Sequence, residues 1–162
     1  MNVQPNLFQK LLHRVLMLQL VSAILAKVLH RADALALRLT GGKHTLTRLV
    51  GLPMVELTTT GARSGLARTL PMLSLPVDEK LVLIASNFGQ AHNPAWYHNL
   101  KAHPLCEVRR AGMTRTFLAR EVSGSEYQTY WQLAVSYYAG YEKYKERAAP
   151  RHIPVMVLEP QT

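Results

Sequence analysis

The sequence predicts an α+β protein: a small, mostly antiparallel barrel of about six strands with helices packed outside it, preceded by an amino-terminal helix. Three observations support this fold class. The residue pattern changes from helical to strand-like at Pro53. The strand-like runs then follow one another without the strand–helix alternation that is typical of a parallel Rossmann sheet. With 162 residues, of which 48% are hydrophobic, the chain is long enough to bury one core.

Composition and charge narrow the function classes. A single cysteine, Cys106, excludes an intrachain disulfide framework, and we expect it in the core. Lysine and arginine number 19 against 10 acidic residues, a net charge of +9, so we expect an anionic ligand or partner. The sequence has no Walker loop, no GxGxxG, and no HxH or HExxH motif, and His92 and His98 are six residues apart. We therefore predict neither a nucleic-acid partner nor a metal site.

Residues 7–31 contain no proline or glycine and predict a helix. Its uncharged stretch, 15–26, is too short for a bilayer span, which needs about 20 residues. Basic residues flank the apolar middle, a pattern that favours a helix lying at an anionic membrane surface. A helix packed on its own domain or on a second subunit is one alternative, and a secretory signal peptide is another. We divide the chain into this amino-terminal segment, 1–40, and a barrel domain, 41–162.

The elements of the barrel domain follow from local patterns and from glycine and proline punctuation. Strands are predicted at 54–60, 67–75 (broken or bulged at Pro71), 80–86, 105–110, 114–121 and 153–158. Helices are predicted at 94–102, which opens with a proline, and at 123–138, with Ser123 or Ser125 as its cap.

The first candidate site is the segment 58–69, TTTGARSGLART. Its two glycines allow a tight turn in which backbone N–H groups converge. Ser64 and Thr69 add hydroxyl donors, and Arg63 and Arg68 add positive charge. Such a set binds a phosphate or a carboxylate. A plain hairpin with surface arginines is the alternative interpretation.

Two further segments carry candidate residues. Residues 86–99, SNFGQAHNPAWYHN, leave a strand and enter a helix, and a helix start of this kind binds anions. Trp96 could stack on a planar cofactor there, or it could be a core tryptophan behind a helix cap. Tyr138, Tyr141 and Tyr144 recur at helical spacing and could bind carbonyl or nitro oxygens, or form an aromatic stripe in the core or on the surface.

The segments LTTTGARSGLART, KLVLIASNFG, HNPAWYHNLKAHP and IPVMVLEP occur in this order across residues 50–160. Together they resemble the deazaflavin-dependent nitroreductase family, whose members use coenzyme F420. The resemblance implies a split β-barrel with reduced coenzyme F420, an 8-hydroxy-5-deazaflavin, as the hydride donor. It implies a quinone or a nitroaromatic compound as the acceptor.

The resemblance also implies roles for individual residues. The cofactor phosphate would be held by Arg63, Ser64, Gly65 and Arg68, with Thr69 and Pro71 along the edge of the loop. The ring system would lie between one wall made of Ala85, Ser86, Asn87 and Gly89 and a second wall made of Asn93, Ala95, Trp96, Tyr97 and Asn99. The acceptor pocket would be lined by Tyr138, Tyr141 and Tyr144, with Ser86 near the acceptor.

We therefore predict an oxidoreductase that transfers a hydride from reduced coenzyme F420 to quinones or nitro compounds. The basic amino-terminal helix would hold it in the cytoplasm at the inner face of the cell membrane. One alternative is a split-barrel oxidoreductase that binds FMN or FAD, because a ribityl phosphate could occupy the same arginine loop. The other is a protein that binds a flavin or deazaflavin without catalysis.

Overall fold

The computed structural model describes residues 53–161, which belong to the second of the two units into which the chain divides, Pro53–Thr162. The helix expected at 7–31 and the segment 1–40 lie outside the described residues. Within the described part, no helix combines the length and the apolar character that a membrane span requires.

Seven strands and three helices make up the described residues. The strands are β1 Met54–Thr60, β2 Ala67–Leu73, β3 Leu75–Val77, β4 Lys80–Ile84, β5 Leu105–Arg110, β6 Met113–Glu121 and β7 Val155–Pro160. The helices are α1 Ala95–Ala102, α2 Gly124–Tyr137 and α3 Gly140–Ala148, with a single 3-10 turn at Asn87–Gly89. The strands form one curled antiparallel sheet in the order β2-β1-β5-β6-β7-β4-β3. The predicted α+β class is confirmed, with seven strands in place of the six expected.

The core lies on the inner face of this curled sheet. Alternate residues of β1 point inward, so Val55, Leu57 and Thr59 are buried while their neighbours are half-buried. β4 and β7 are buried along nearly their whole length because α2 packs on them from the other side. Helix α1 contributes Trp96 and Leu100 to the same core. The alternation of buried and half-buried residues along a strand such as β1 therefore determines which of its side chains point into the core that α1 also contacts.

The second strand differs from its prediction. Pro71 does not break it, because Pro71 lies in register opposite Glu56 within β2. Among the described strands β2 stands at one edge of the sheet, where a missing N–H is tolerated. The interruption falls instead at Ser74, after which β3 forms a separate hairpin with β4. Asp78 turns this hairpin with a φ of 52°, a left-handed conformation that aspartate adopts more readily than most residues.

Other boundaries shift by a few residues. β4 ends at Ile84 rather than at residue 86, and β7 runs over Val155–Pro160 rather than 153–158. Ser123 takes the N-cap position of α2 but makes no side-chain capping bond. β6 starts one residue early, at Met113, because Ala111 and Gly112 both have positive φ and close the β5–β6 hairpin in two residues.

We expect the thiol of Cys106 to be unreactive in the folded protein. Its side chain is buried, as predicted, and burial raises the pKa of the thiol to about 12. Because the thiolate is the reactive form, an aromatic disulfide reagent at about pH 8 should release no thiol signal from the native protein. One equivalent should react after unfolding in guanidinium chloride, since the sequence holds one cysteine. Rapid reaction of the folded protein would contradict this assignment.

Candidate functional site

The loop between β1 and β2 is a compact turn closed by its own backbone. The Gly61 N–H donates to the Leu66 carbonyl at 2.9 Å, and the Gly65 N–H donates to the Gly61 carbonyl at 2.8 Å. A Cβ atom on Gly61 would lie 2.6 Å from the Ser64 Oγ atom and 3.2 Å from the Leu66 carbonyl oxygen, so a larger residue there would make the Ser64 side chain move. Gly65 has a φ of +67°, which also favours glycine. The glycines therefore give the turn its shape, as the sequence predicts.

This turn presents unpaired donors to solvent. The side chains of Arg63 and Arg68 are exposed, and neither forms an ion pair within residues 53–161. Over the same range the backbone N–H groups of Arg63 and Ser64 have no hydrogen-bond acceptor. The guanidinium group and two N–H groups of the turn, together with the Arg68 guanidinium at the start of β2, fit the charge and the acceptor oxygens of a phosphate.

The two residues expected at the edge of this loop lie on β2. The Thr69 hydroxyl is within 2.8 Å of the hydroxyl of Thr58, its cross-strand partner. Pro71 follows two residues later, opposite Glu56. Both residues extend the loop along the edge strand.

Asn99 connects the loop to helix α1. Its side-chain oxygen accepts a hydrogen bond from the Ala62 N–H at 2.9 Å, and its amide nitrogen donates to the Thr59 hydroxyl at 3.0 Å. Asn99 and Thr59 are both buried. The resemblance places Asn99 in a cofactor wall. The structure shows that both ends of its amide bond the β1 end and the arginine loop, so Asn99 sets the position of that loop.

The segment that follows β4 makes a left-handed turn. Asn87, Phe88 and Gly89 have φ values of 47°, 56° and 78°. Such angles are uncommon for an aromatic residue and mark a conformation that its surroundings must hold in place. The Asn87 side chain donates to the His92 carbonyl at 2.9 Å. A Cβ on Gly89 would lie 2.8 Å from the Cβ of Arg147, so this turn is pressed against α3.

Arg151, between α3 and β7, holds this same segment. Its Nε donates to the Gln90 carbonyl at 2.9 Å and its Nη2 to the Ser86 carbonyl at 2.8 Å. Its Nη1 lies 2.6 Å from the Asn93 side-chain oxygen and 3.2 Å from the Ala85 carbonyl. No motif in the sequence marks Arg151 as a site residue. The only signal available was an arginine two residues before the closing IPVMVL run.

Helix α1 begins directly after this segment. Ala95 is exposed at its first position, while the Trp96 indole is buried in the core with 6% of its surface exposed. This position agrees with the alternative interpretation, in which Trp96 is a core residue. Its indole holds α1 against the core. The Tyr97 hydroxyl donates to Glu121 at 3.0 Å, and Glu121 also pairs with Lys101. Of the proposed second wall, Ala95 is therefore exposed, Asn93 and Tyr97 are half-buried, and Trp96 and Asn99 are buried.

The three predicted tyrosines form one buried cluster. Tyr138 precedes α3, because its extended backbone ends α2, and Tyr141 and Tyr144 lie on α3. The hydroxyls of Tyr138 and Tyr144 are 3.3 Å apart, and the Tyr141 ring packs edge-on against both of the other rings. Phe88 packs edge-on against Tyr144, with 6.1 Å between ring centroids. The tyrosine cluster thus contacts the segment that carries Ser86, Asn87 and Gly89.

Trp131 extends the cluster along α2. It stacks on Tyr127 with 5.9 Å between ring centroids, and it lies 6.3 Å from the Tyr141 ring. Its indole N–H donates to Glu142 at 2.7 Å. Trp131 joins α2 to α3, and no motif in the sequence singled it out.

The site is therefore continuous through α1. The arginine loop bonds to α1 through Asn99, the segment 85–93 leads into the first turn of α1, and the tyrosine cluster packs on that segment. The curled antiparallel half-barrel and its flanking helices are those of the split-barrel F420 reductases.

Comparison with known proteins gives the family. The family model for F420H(2)-dependent quinone reductases matches residues 29–160, and the chain belongs to this family. An F420H(2)-dependent quinone reductase of Mycobacterium tuberculosis is 34% identical over 113 residues, which cover 65% of this chain and 72% of the relative. The protein is thus an oxidoreductase with coenzyme F420 as its cofactor.

Two solved structures share the fold and have more than 30% sequence identity with this chain. An F420-H2-dependent reductase has a TM-score of 0.61 and 37% identity, covering 66% of this chain and 94% of that one. A structure described as a domain-swapped dimer has a TM-score of 0.63 and 34% identity, covering 86% of this chain and 96% of that one.

The unpaired donors of the arginine loop suit the anionic phosphate of coenzyme F420. The FMN or FAD alternative and the non-catalytic alternative are set aside by the family.

We expect the Asn99→Ala substitution to lower the free energy of unfolding by about 1–3 kcal/mol, because the Ala62 N–H loses its acceptor and the buried Thr59 hydroxyl keeps only its 3.5 Å bond to the Arg68 carbonyl. Urea unfolding followed by circular dichroism measures this. His98→Ala, an exposed neighbour on the same helix, is the matched control and should change stability by less than about 0.5 kcal/mol. Equal effects of the two substitutions would contradict the role assigned to Asn99.

Burial raises the pKa of all three cluster phenols, Tyr138, Tyr141 and Tyr144. The unfolded chain therefore loses these protons first as the pH rises through about 10, and the free energy of unfolding should fall from that pH upward. The contribution is fully present below that pH. Urea unfolding at several pH values measures the slope. Tyr141→Phe should make it shallower than in the wild type, and Tyr137→Phe, at a half-buried tyrosine outside the cluster, is the control; an unchanged slope in Tyr141→Phe would refute the assignment.

Proposed function

We propose that this protein reduces quinones, with reduced coenzyme F420 as the electron donor. One observation carries the proposal. The arginine loop, with its unpaired cations, is bonded through Asn99 to the same helix that receives the segment packed on the tyrosine cluster. An anion site and a buried set of neutral hydroxyls thus lie at connected parts of one fold. When bound, the coenzyme supplies a hydride, and the residues of the chain bind, orient and polarise.

The arginine loop would bind the phosphate of the coenzyme. Arg63 and Arg68 supply charge, and the Arg63 and Ser64 N–H groups supply directed hydrogen bonds. Gly65 leaves open space next to them, since nothing lies within 4 Å of the position its Cβ would take. Thr69 and Pro71 continue this surface along β2.

The segment 85–93 would form the wall for the ring system. Its carbonyls at Ala85 and Ser86 accept hydrogen bonds from Arg151, which fixes the backbone before any ligand arrives. Ser86 makes no side-chain capping bond, so its hydroxyl is available to a ligand. Asn93 and Ala95 would flank the ring from the start of α1. A preformed wall lowers the ordering cost of binding and keeps the reacting atoms aligned.

The tyrosine cluster would polarise the acceptor. Burial keeps the phenols protonated at neutral pH, so they serve as hydrogen-bond donors and not as bases. A hydroxyl in a low-dielectric site stabilises the negative charge that develops on a quinone oxygen, and Ser86 would add a second donor. Nitro compounds present similar oxygens, so they are the second acceptor class to assay.

Arg63→Ala should raise the dissociation constant for coenzyme F420 by about 10- to 100-fold, since a charge-assisted hydrogen bond contributes about 1.5–3 kcal/mol. Quenching of the coenzyme's fluorescence measures this, and steady-state assays with menadione give KM for the acceptor, which should change little. Arg110→Ala removes the same charge from the exposed end of β5 and should leave both constants near wild type. A rise in the acceptor KM equal to the rise in the coenzyme dissociation constant would contradict a phosphate role.

We also propose that residues 7–31 hold the enzyme at an anionic membrane surface, on the inner face of the cell membrane, where lipid quinones are found. The support is the sequence pattern, with basic residues on both sides of an apolar middle. The full chain should float with vesicles of phosphatidylglycerol and not with vesicles of phosphatidylcholine. Replacing Lys10, Arg14, Lys27 and Arg31 together by Gln should abolish flotation while menadione reduction persists. Flotation of this variant with the anionic vesicles would refute the proposal.

A further inference from the structure

Arg151 is the group whose bonding pattern is least expected from its chemistry. An arginine with several bonded donors normally faces a carboxylate. Arg151 forms no ion pair within residues 53–161, and its guanidinium donates only to carbonyl oxygens and to the Asn93 side chain. The planar guanidinium of Arg151 thus binds mainly backbone carbonyls. Among the described residues no carboxylate pairs with its positive charge.

The acceptors of Arg151 span one short segment. Apart from the carbonyl of the adjacent His152 at 3.4 Å, they are the carbonyls of Ala85, Ser86 and Gln90 and the side-chain oxygen of Asn93. This span encloses the left-handed turn, whose φ values of 47°, 56° and 78° need outside support. The turn has hydrogen bonds of its own: the Gly89 N–H donates to the Ser86 carbonyl, the Gln90 N–H to the Asn87 carbonyl, and the Asn87 side chain to the His92 carbonyl. Arg151 supplies the additional bonds across the two ends of the turn.

Arg151 also connects this segment to the tyrosine cluster. Its own N–H donates to the carbonyl of Ala148, the last residue of α3, at 2.9 Å. Helix α3 carries Tyr141 and Tyr144 and packs its backbone against Gly89. One residue therefore joins the end of the helix that bears the tyrosines to the segment proposed as the ring wall.

We propose that Arg151 is a positioning residue that fixes the cofactor wall relative to the acceptor pocket. This inference rests on the proposed function for its catalytic consequence, but the clamp itself is a property of the chain alone. Two separate measurements can therefore test it.

The first measurement is amide hydrogen exchange by mass spectrometry on the full chain without coenzyme. In Arg151→Met, peptides covering 86–93 should exchange at least about tenfold faster, while peptides from β4 and β7 stay near wild type. Arg110→Met is the matched control for the same change at an exposed site. Unchanged exchange in 86–93 overturns the proposal, and so does equal acceleration throughout the strands, which marks a general loss of stability.

The second measurement is coenzyme F420 binding and turnover with menadione. Arg151→Met should raise the dissociation constant of the coenzyme and lower kcat, each by about tenfold or more, because both walls lose alignment. Arg151→Lys keeps the charge but not the fork, so it should recover less than half of the loss on a logarithmic scale. Full recovery by lysine would overturn positioning in favour of a charge effect.

Asn93→Ala keeps the test decisive if Arg151→Met folds poorly. It removes one acceptor, the one at 2.6 Å, and should accelerate exchange in the same peptides to a smaller extent. No acceleration there would count against the clamp. If the wild type itself fails to bind coenzyme F420, the proposed function fails, and the exchange data alone decide whether Arg151 holds the segment.

Discussion

The arrangement of the site depends on one buried amide. Asn99 bonds the Ala62 N–H and the Thr59 hydroxyl, so it joins the end of β1, the arginine loop and helix α1 at a single point. A buried amide of this kind is restrictive, because leaving either end unpaired is unfavourable. The loop therefore has one low-energy position relative to α1. Because Arg63 and Arg68 are attached to this part of the backbone, its position also determines where their guanidinium groups lie.

A second constraint acts on the segment that precedes α1 in the chain. There the backbone leaves β4 through a left-handed turn that its own residues do not favour, and neighbours hold it from outside. The close contact of Gly89 with α3 excludes any side chain at that position, while the guanidinium of Arg151 holds the flanking carbonyls. The two constraints differ in kind: the first uses a neutral amide within the core, and the second uses a cation near the surface.

The parts of the fold that repeat a simple rule could be predicted from the sequence. Alternation identified β1, and the strand-like runs at 105–110 and 114–121 identified β5 and β6. The tolerance of Pro71 depended on the place of β2 at an edge of the sheet, which is a property of the topology and not of local sequence. Trp96 fitted a stacking residue and a core residue equally well, and only the packing of α1 decided where it lies. Arg151 is 58 residues from Asn93, so no local pattern could indicate their contact.

The left-handed turn has a consequence for altering the range of compounds that the enzyme accepts. Its residues differ in how well they tolerate substitution in a directed-evolution library. Gly89 has no room for a larger residue, so diversity introduced there would displace α3 and be lost to misfolded clones. Phe88 is half-buried and meets Tyr144 edge-on, and its positive φ favours glycine, asparagine or aspartate over other residues at this position. If the tyrosine cluster lines the acceptor pocket as we propose, saturation mutagenesis aimed at new acceptors has its best starting point at Phe88, with Gly89 left untouched.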